Sequence, residues 1–570
     1  MKNRAIAEMF GRIADALEMK GELPFRVNAY RKASRVIQDL REDIEDIWKE
    51  GRLRDIPGIG EGMAQKIEQF LSTGSMDKYE EVVREVSPDL IELLGIQGLG
   101  PRTLFMAQQK LNVRNLDDLS RVIENGSLEA LPGMGAKKVE NIRKGMQLFL
   151  ASMERISLGV ALPVAEEMIE RLRKTTGVTR ISMAGSLRRY KETVGDIDVL
   201  CEGKTGGDII QKFTTLPGVV RVLASGETKG SVLVEGGTQV DLRVVEPDSF
   251  GSALQYFTGS KAHNIRLREM AKKRGLKISE YGVFRGTEKV GGRDEEDIYS
   301  AVGLPLIPPE LREDWGEIEA AMEGRLPELV SSADMRGDFH VHSSYSDGSD
   351  SIASIAEKAA AMGYSFVAIC DHSKTARYAG GMNKDTLLAQ MEEIRSVNSG
   401  LKGFRVLAGI EVDIMADGRL DFSDEILGKL DVVVASVHSG FKQRVTERIL
   451  AAMKNPHVDI IGHPTGRLIS RREGYEVDLE RVMRGAAETG TALEINAYYD
   501  RMDLSDLNCR KAKELGVSLA IGTDAHHLEQ LEFAKFGLGV ARRGWLEKRD
   551  LLNTFTLNQL AKRMAPKSRR

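Results

Sequence analysis

The strongest restriction on how this chain can fold is a series of seven short apolar segments in its last third, each ending in polar, metal-competent residues. In order they are Asp338-Phe-His-Val-His342, Phe366-Val-Ala-Ile-Cys-Asp-His372, Leu407-Ala-Gly-Ile-Glu411, Val432-Val-Val-Ala-Ser-Val-His438, Ile460-Ile-Gly-His463, Leu493-Glu-Ile-Asn496 and Leu519-Ala-Ile-Gly-Thr-Asp-Ala-His526. Helical stretches separate them at the spacing of β-α repeats. That pattern predicts a parallel barrel whose working groups collect at the C-terminal strand ends. His340 and His342 alternate, so they share one strand face. Eight of the nine histidines follow residue 339. Imidazoles and carboxylates converging from many strand ends imply a multi-metal site, and the imidazole-rich set suits Zn²⁺ or Mn²⁺ better than Mg²⁺.

A second concentration of chemistry lies in Gly185-Ser-Leu-Arg-Arg-Tyr-Lys-Glu-Thr-Val-Gly-Asp-Ile-Asp-Val-Leu200. Asp196 and Asp198 alternate ahead of apolar Val199 and Leu200, so both carboxylates can address one spot. Two like charges on one face call for a cation, and hard oxygen ligands suit Mg²⁺ or Mn²⁺. The Gly185-Ser186 turn and the arginines Arg188 and Arg189 offer backbone N–H groups and guanidinium forks for phosphate. Downstream, Ser231–Glu235 and Thr238–Val245 alternate as a hairpin around a Gly-Gly turn. Asp241 falls in mid-strand there, an odd place for a charge unless it completes the metal site.

Ahead of both regions, three apolar glycine turns each feed a helix: Ile56-Pro-Gly-Ile-Gly60, Leu94-Gly-Ile-Gln-Gly-Leu-Gly100 and Leu131-Pro-Gly-Met-Gly135. Such turns resemble helix-hairpin-helix motifs, which offer helix N-terminal N–H groups to a DNA phosphate without reading bases. Gly58, Gly60, Gly98, Gly100, Gly133 and Gly135 are the expected contacts. The net charge of -4 leaves no global basic footprint, so DNA has to be held by such local devices.

At 570 residues the chain needs several cores. The divisions expected are a helical N-terminal domain (1–85), a helical DNA-binding domain (86–155), a palm (156–248), a nucleotide-selecting subdomain (249–315), a linker with little core of its own (316–335) and the barrel (336–570). A charged helical piece is expected over Leu311–Val330. Three scattered cysteines, no signal-peptide pattern and no membrane-length apolar run point to the cytoplasm, with no membrane partner.

These motifs also carry a resemblance. Phe25-Arg-Val-Asn-Ala-Tyr-Arg-Lys-Ala-Ser34 with the first hairpin looks like the amino-terminal domain of DNA polymerase beta, which implies a lyase lysine at Lys66. Gly-Ser, Asp-x-Asp and the later strand Asp resemble the nucleotidyltransferase superfamily, and Tyr256-Phe-Thr-Gly-Ser260 with Asn264 narrows this to family X DNA polymerases. The resemblance implies that Ser186 and Arg189 hold a triphosphate, Tyr256, Phe257 and Gly259 close over the sugar, Asn264 meets the base edge, and Arg268 faces the template. It departs at Gln239 and Lys261, where relatives carry a basic and an acidic residue. The last third closely resembles the polymerase and histidinol phosphatase (PHP) domain, whose trinuclear site maps onto His340, His342, Asp347, His372, Glu411, His438, His463, Asp524 and His526. Asp371 and His527 are adjacent but not expected as ligands, His457 is expected to be bland, and Arg467 is a candidate phosphate contact.

The whole chain therefore resembles a bacterial or archaeal family X DNA polymerase with a C-terminal PHP domain. The fold class implied is multidomain: helical DNA-binding domains, an α+β nucleotidyltransferase palm and thumb, then a distorted (β/α)7 barrel. Gap-filling repair synthesis by a monomer on gapped or primer–template DNA with dNTPs is expected, together with 3′→5′ exonuclease and abasic-site or 3′-end processing. A small-molecule nucleotidyltransferase, or a DNA-binding scaffold with a structural metal cluster, are the alternatives.

Overall fold

The computed structural model describes residues 2–38, 44–56, 58–86, 90–91, 93–96, 98–153 and 155–564. Pro57 and Gln97 of two glycine turns, and residues 565–570 of the basic tail, lie outside the described residues. The chain divides into two units, Met1–Met153 with Ser470–Arg472, and Glu154–Ile469 with Glu473–Arg570. No helix among the described residues is long and apolar enough to cross a membrane.

The first unit is helical, and its glycine turns share one design. Gly58, Gly98 and Gly133 take positive φ values of 93°, 88° and 74°, which glycine alone adopts at no steric cost. The residue between each glycine pair, Ile59, Leu99 or Met134, is buried and anchors the turn. Gly60 and Gly100 then cap the helices Glu61–Thr73 and Pro101–Leu111 in extended backbone with no side-chain cap. Gly135 precedes the helix Ala136–Met153. No side-chain cap claims the first-turn N–H groups of the helices after Gly60 and Gly100.

The second unit begins with a five-stranded sheet. Its spatial order is Val178–Met183, Ile197–Gly203, Gln239–Val245, Lys229–Val234, Val219–Ser225. The hairpin forms as expected, with Lys229–Val234 antiparallel to Gln239–Val245. The central pair, Ile197–Gly203 and Gln239–Val245, is parallel, and Asp198 stands in register with Asp241. Helix Leu158–Arg173 buries Leu158, Leu162, Ala165 and Leu172 against this sheet. Helices Phe250–Thr258, Lys261–Lys273 and Glu295–Ala301, with a three-stranded sheet, follow.

The segment expected as a coreless linker is a correction. Only Glu317–Met322 is an α-helix within Leu311–Val330; Ile318 and Ala321 of the expected linker join a buried cluster with Leu267, Ile298 and Tyr299, as do Leu304, Ile307 and Leu311 just ahead of it. Its charges are buried because they are paired: Arg312 donates to Glu295 at 2.7 Å, and Glu317 meets His263 Nδ1 at 2.6 Å. His263, the one histidine ahead of residue 339, is thus a core residue whose other ring nitrogen meets Tyr299 at 3.0 Å.

The seven apolar segments form one parallel sheet in strict sequence order, Gly337–Val341, Phe366–Ile369, Arg405–Asp413, Val432–Ser436, Ile460–Ile461, Ala492–Asn496 and Leu519–Gly522. The two ends approach each other: His342 N–H donates to the Ala525 carbonyl and Asp524 N–H to the His340 carbonyl, both at 2.8 Å. The result is the nearly closed seven-stranded (β/α) barrel. One apolar cluster runs from Leu158 and Val240 of the palm to Ile495 and Val540 of the barrel.

Candidate active sites

In the palm, register does what alternation alone could not. Asp198 and Asp241 are direct neighbours on parallel strands, and Asp196, Asp198 and Asp241 each offer a carboxylate oxygen within 4.8 Å of the others. Gly185 has φ +62°, and a Cβ there would lie 2.3 Å from Asp198 Oδ2. Glycine is therefore the only residue that lets the Gly185-Ser186 turn approach the carboxylate this closely. Burial, followed by the charges of Asp196 and Asp241, pushes the Asp198 carboxyl up to about 6. Burial acts the same way on Asp241, but hydrogen bonds from Ser231 (2.6 Å) and Gln239 (2.9 Å), and Lys229 at 2.9 Å, hold it below the usual carboxylate range. Gln239 thus serves Asp241 directly. Three ionisable oxygens crowded in one place, one of them driven toward protonation, fit divalent cations.

The expected nucleotide contacts are placed unevenly. Arg189 lies beside Gly259, where a Cβ would sit 3.1 Å from its Nη1, and Ser186 follows Gly185 in the same short helix. Tyr256 and Phe257 meet edge to face at 5.1 Å, with the Arg243 guanidinium 4.3 Å from the Phe257 ring centre. The Arg189 guanidinium is already engaged, donating to Glu313 at 3.0 Å and to the Thr258 carbonyl. Arg188 is spent on Glu295 and Thr258. Asn264 is buried, donating to the Tyr256 carbonyl at 2.8 Å and accepting from Gln255 at 2.6 Å, so its amide is turned to the protein. Arg268 is exposed on helix Lys261–Lys273. Lys66 belongs to the first unit; its Nζ donates to the Gly62 carbonyl at 2.8 Å and lies 5.9 Å from the Tyr30 ring centre. Burial, then the charges of Lys78 and Arg26, lowers its ammonium below the ordinary lysine range.

At the barrel's strand ends all nine expected residues meet. Three sets lie close enough to share an ion: His342, Asp347, His372 and His526; His340, His342 and Asp524; and His372, Glu411 and His438. Glu411 is the hub, with ring nitrogens of His372, His463, His438 and His340 at 2.8, 3.0, 3.2 and 3.5 Å from its oxygens. His340 Nε2, His342 Nδ1 and Glu411 Oε2 are buried and make no hydrogen bond, which a core without cations would not tolerate. Electrostatics say the same. Burial opposes it, yet Glu411 and Asp413 pull His438 up to about 10, and Asp347 and Asp524 pull His526 up to about 9. Burial and the neighbouring His526 and His372 hold His342 down at about 3, neutral and ready to ligate. The carboxylates demand positive charge, and the donor set fits metal ions.

Several supporting residues escaped the sequence reading. Glu494 accepts from His340 Nδ1 at 2.7 Å and from the His463 N–H at 2.6 Å, fixing which His340 nitrogen faces inward. Asp413 does so for His438 at 2.8 Å. Asp371, already named as adjacent to the site, accepts from Ser343 N–H and hydroxyl. Asp413 sits two positions past Glu411 in one strand, a signal the sequence did carry. Arg467 is a correction: it donates to Glu192 of the palm at 2.8 Å and to the Arg501 carbonyl at 3.0 Å, so its charge is not aimed at a phosphate.

A nucleotidyltransferase palm and a metallo-phosphoesterase barrel in one chain are the class this fold and these sites define. Family models match accordingly: a helix-hairpin-helix domain over residues 1–76, a SAM-like helix-hairpin-helix tandem over 90–147, a DNA polymerase beta thumb over 253–313 and a PHP domain over 338–498. The chain is 39% identical to the DNA polymerase/3′-5′ exonuclease PolX of Bacillus subtilis, across 98% of this chain and 99% of that protein. It is 25% identical to DNA polymerase lambda of Arabidopsis thaliana over 54% of this chain and 62% of that one. A probable phosphatase of Thermoanaerobacter sp. matches at 42% over 22% of this chain and 54% of its own length. The chain belongs to the family X DNA polymerases that carry a C-terminal PHP domain.

Proposed function

We propose that this protein is a template-directed DNA polymerase that fills short gaps in DNA repair and removes nucleotides from 3′ ends with its barrel. The observation that carries the reading is the pair of separate metal-ready centres, Asp196–Asp198–Asp241 in the palm and three ligand sets at the strand ends. Mg²⁺ or Mn²⁺ suits the all-carboxylate palm site, and Zn²⁺ or Mn²⁺, up to three ions, the imidazole-rich barrel site. Bound there, such ions stabilise the attacking and leaving oxygens of an in-line displacement and lower the pKa of bound water.

The chain's own groups do the rest. Asp196, Asp198 and Asp241 would hold the palm ions; Asp241, kept ionised by Ser231, Gln239 and Lys229, would take the primer 3′-hydroxyl proton. Gly185 and Ser186 would lie along the incoming triphosphate. Arg189 would join them by exchanging Glu313 for a phosphate, and Tyr256, Phe257 and Gly259 would close over the sugar. Asn264 would act on the base edge only after leaving the Tyr256 carbonyl, with Arg268 toward the template. The helix N-termini after Gly60, Gly100 and Gly135, shaped by Gly58, Gly98 and Gly133, would hold the DNA backbone through their N–H groups. The lowered ammonium of Lys66 supports Schiff-base chemistry on an abasic deoxyribose. Gapped or primer–template DNA and dNTPs are the partners, a monomer the working state. Three free buried cysteines suit the reducing cytoplasm.

The test is a double assay on one preparation. Asp198→Ala should abolish primer extension and spare 3′ degradation, and His342→Ala should do the reverse. Extension without template, or survival of both activities in both variants, would sink the assignment.

A further inference from the structure

Resting on the nuclease reading of the barrel, we infer that Arg501 and Tyr378 form a two-part grip on an unpaired 3′-terminal nucleotide, Arg501 taking the scissile phosphate and Tyr378 stacking on the terminal base. Arg501 lies in the loop after strand Ala492–Asn496, and its Nε stands 3.7 Å from Asp524 Oδ2. That separation is too long for a hydrogen bond. Among the described residues its guanidinium donates none. Asp524 already accepts from Asn496 at 3.1 Å through Oδ2 and meets His342 at 3.0 Å through Oδ1. The arginine is therefore not needed to satisfy the carboxylate.

The backbone that presents it is held on both sides. Its N–H donates to the Tyr498 carbonyl at 2.8 Å, and its carbonyl accepts from Arg467 at 3.0 Å. The side chain is 23% exposed, so a ligand can reach it. A planar cation with free donors beside a multi-metal centre is the equipment for a second hold on a phosphodiester whose other oxygens face the ions.

Tyr378 completes the geometry. It is 75% exposed, in the turn Arg377–Ala379, with its ring centre 6.3 Å from that of the ligand His372. Arg501 stands beside Asp524 and Tyr378 beside His372, residues of two ligand sets that share His342, so both side chains border the same centre. An exposed aromatic face beside such a site suits a nucleobase, since base–aromatic stacking accepts any base. Only an unpaired base can leave its partner to stack there, so frayed, mismatched or single-stranded 3′ ends are the substrates this grip selects.

The experiment follows 3′ degradation of single-stranded, mismatched and fully paired primers, together with hydrolysis of thymidine 5′-(p-nitrophenyl phosphate) and the metal content of each purified variant. Arg501→Ala should lower kcat/KM on every substrate by roughly 10- to 100-fold, the worth of a charge-assisted hydrogen bond, with metal content unchanged. Arg501→Lys should restore only part, since a lysine lacks the fork. Tyr378→Ala should raise KM for single-stranded DNA by roughly 5- to 50-fold, and Tyr378→Phe, which keeps the ring, should rescue most of that loss. Wild-type rates in Arg501→Ala, or loss of metal from it, would overturn the phosphate assignment. A Phe variant as poor as the Ala variant would overturn stacking. Failure of the nuclease reading looks different: the unaltered protein itself would leave both DNA and the nitrophenyl ester intact.

Discussion

Glu192 of the palm accepts a hydrogen bond from Arg467 of the barrel at 2.8 Å. Glu192 lies on the loop between the Gly185-Ser186 turn and Asp196, and Arg467 follows His463. The same guanidinium holds the carbonyls of Arg501 and Met502. A second clamp lies nearby: Arg543, almost fully buried, donates to the Arg189 carbonyl at 2.7 Å and to Glu313 at 3.0 Å. The polymerase loop is therefore braced from the barrel at both of its ends.

Arg467→Ala removes three bonds at once and should cost on the order of 1–3 kcal/mol while slowing 3′ degradation, because the Arg501 loop loses its support. Glu192→Gln loses one half-exposed ion pair and should cost less than about 1 kcal/mol, with 3′ degradation near normal. Denaturation midpoints with degradation rates check both; equal effects from the two variants would contradict the bracing.

Gly185→Ala should abolish most primer extension. The added Cβ meets Asp198 Oδ2 at 2.3 Å in a left-handed backbone, so either the turn or the carboxylate must move. A stability loss on the order of 1–3 kcal/mol is expected, with 3′ degradation kept. Single-nucleotide insertion and thermal denaturation measure it.

Metal removal should loosen the barrel first. The buried His340 Nε2, His342 Nδ1 and Glu411 Oε2 make no hydrogen bond, and a cation between them would satisfy all three. Supplying Mn²⁺ at ~100 times its dissociation constant should add about 2.7 kcal/mol to the barrel's stability, relative to chelator. Identical melting profiles with chelator and with Mn²⁺ would refute this.

Acid should weaken ion binding in the palm. Asp198, raised to about 6, must release its proton to ligate, so apparent metal affinity should fall by about tenfold per pH unit below that value. In the metal-free protein the sign for stability is opposite to that of a paired carboxylate. Between the ordinary aspartate range and about 6 the folded state keeps a proton that the unfolded state has lost, so Asp198 favours folding at low pH and this contribution fades as pH rises through the window. Mn²⁺ titrations of the unaltered protein and of Asp198→Ala, between pH 5 and 7.5 (about the range of useful buffers), read the palm site as the difference between the two.

The fold class could be read because its signals are periodic: seven apolar strands spaced by helices, and glycine turns that need positive φ. The strand-end histidines were legible for the same reason, each closing a segment that has no other use for an imidazole. What escaped depends on pairing across the chain. Glu494 matters because it selects a His340 nitrogen, and no local pattern reports that. Arg312 and Glu317 fall in the stretch expected as a charged helical piece, yet both are buried, since Glu295 and His263 stand ready from elsewhere in the sequence. Arg467 was assigned by nearness to His463 in sequence, whereas its reach is decided by where Glu192 lies.

The barrel closes by joining its first strand to its last, His340 and His342 to Asp524 and Ala525. In order of synthesis, the palm carboxylates are complete once Asp241 is made, long before Asp524 and His526 leave the ribosome. A chain interrupted just after the sixth barrel strand carries seven of the nine expected ligands but no enclosed pocket. Destructive chemistry on DNA is thus the last capacity this molecule acquires, and it acquires it in a single step.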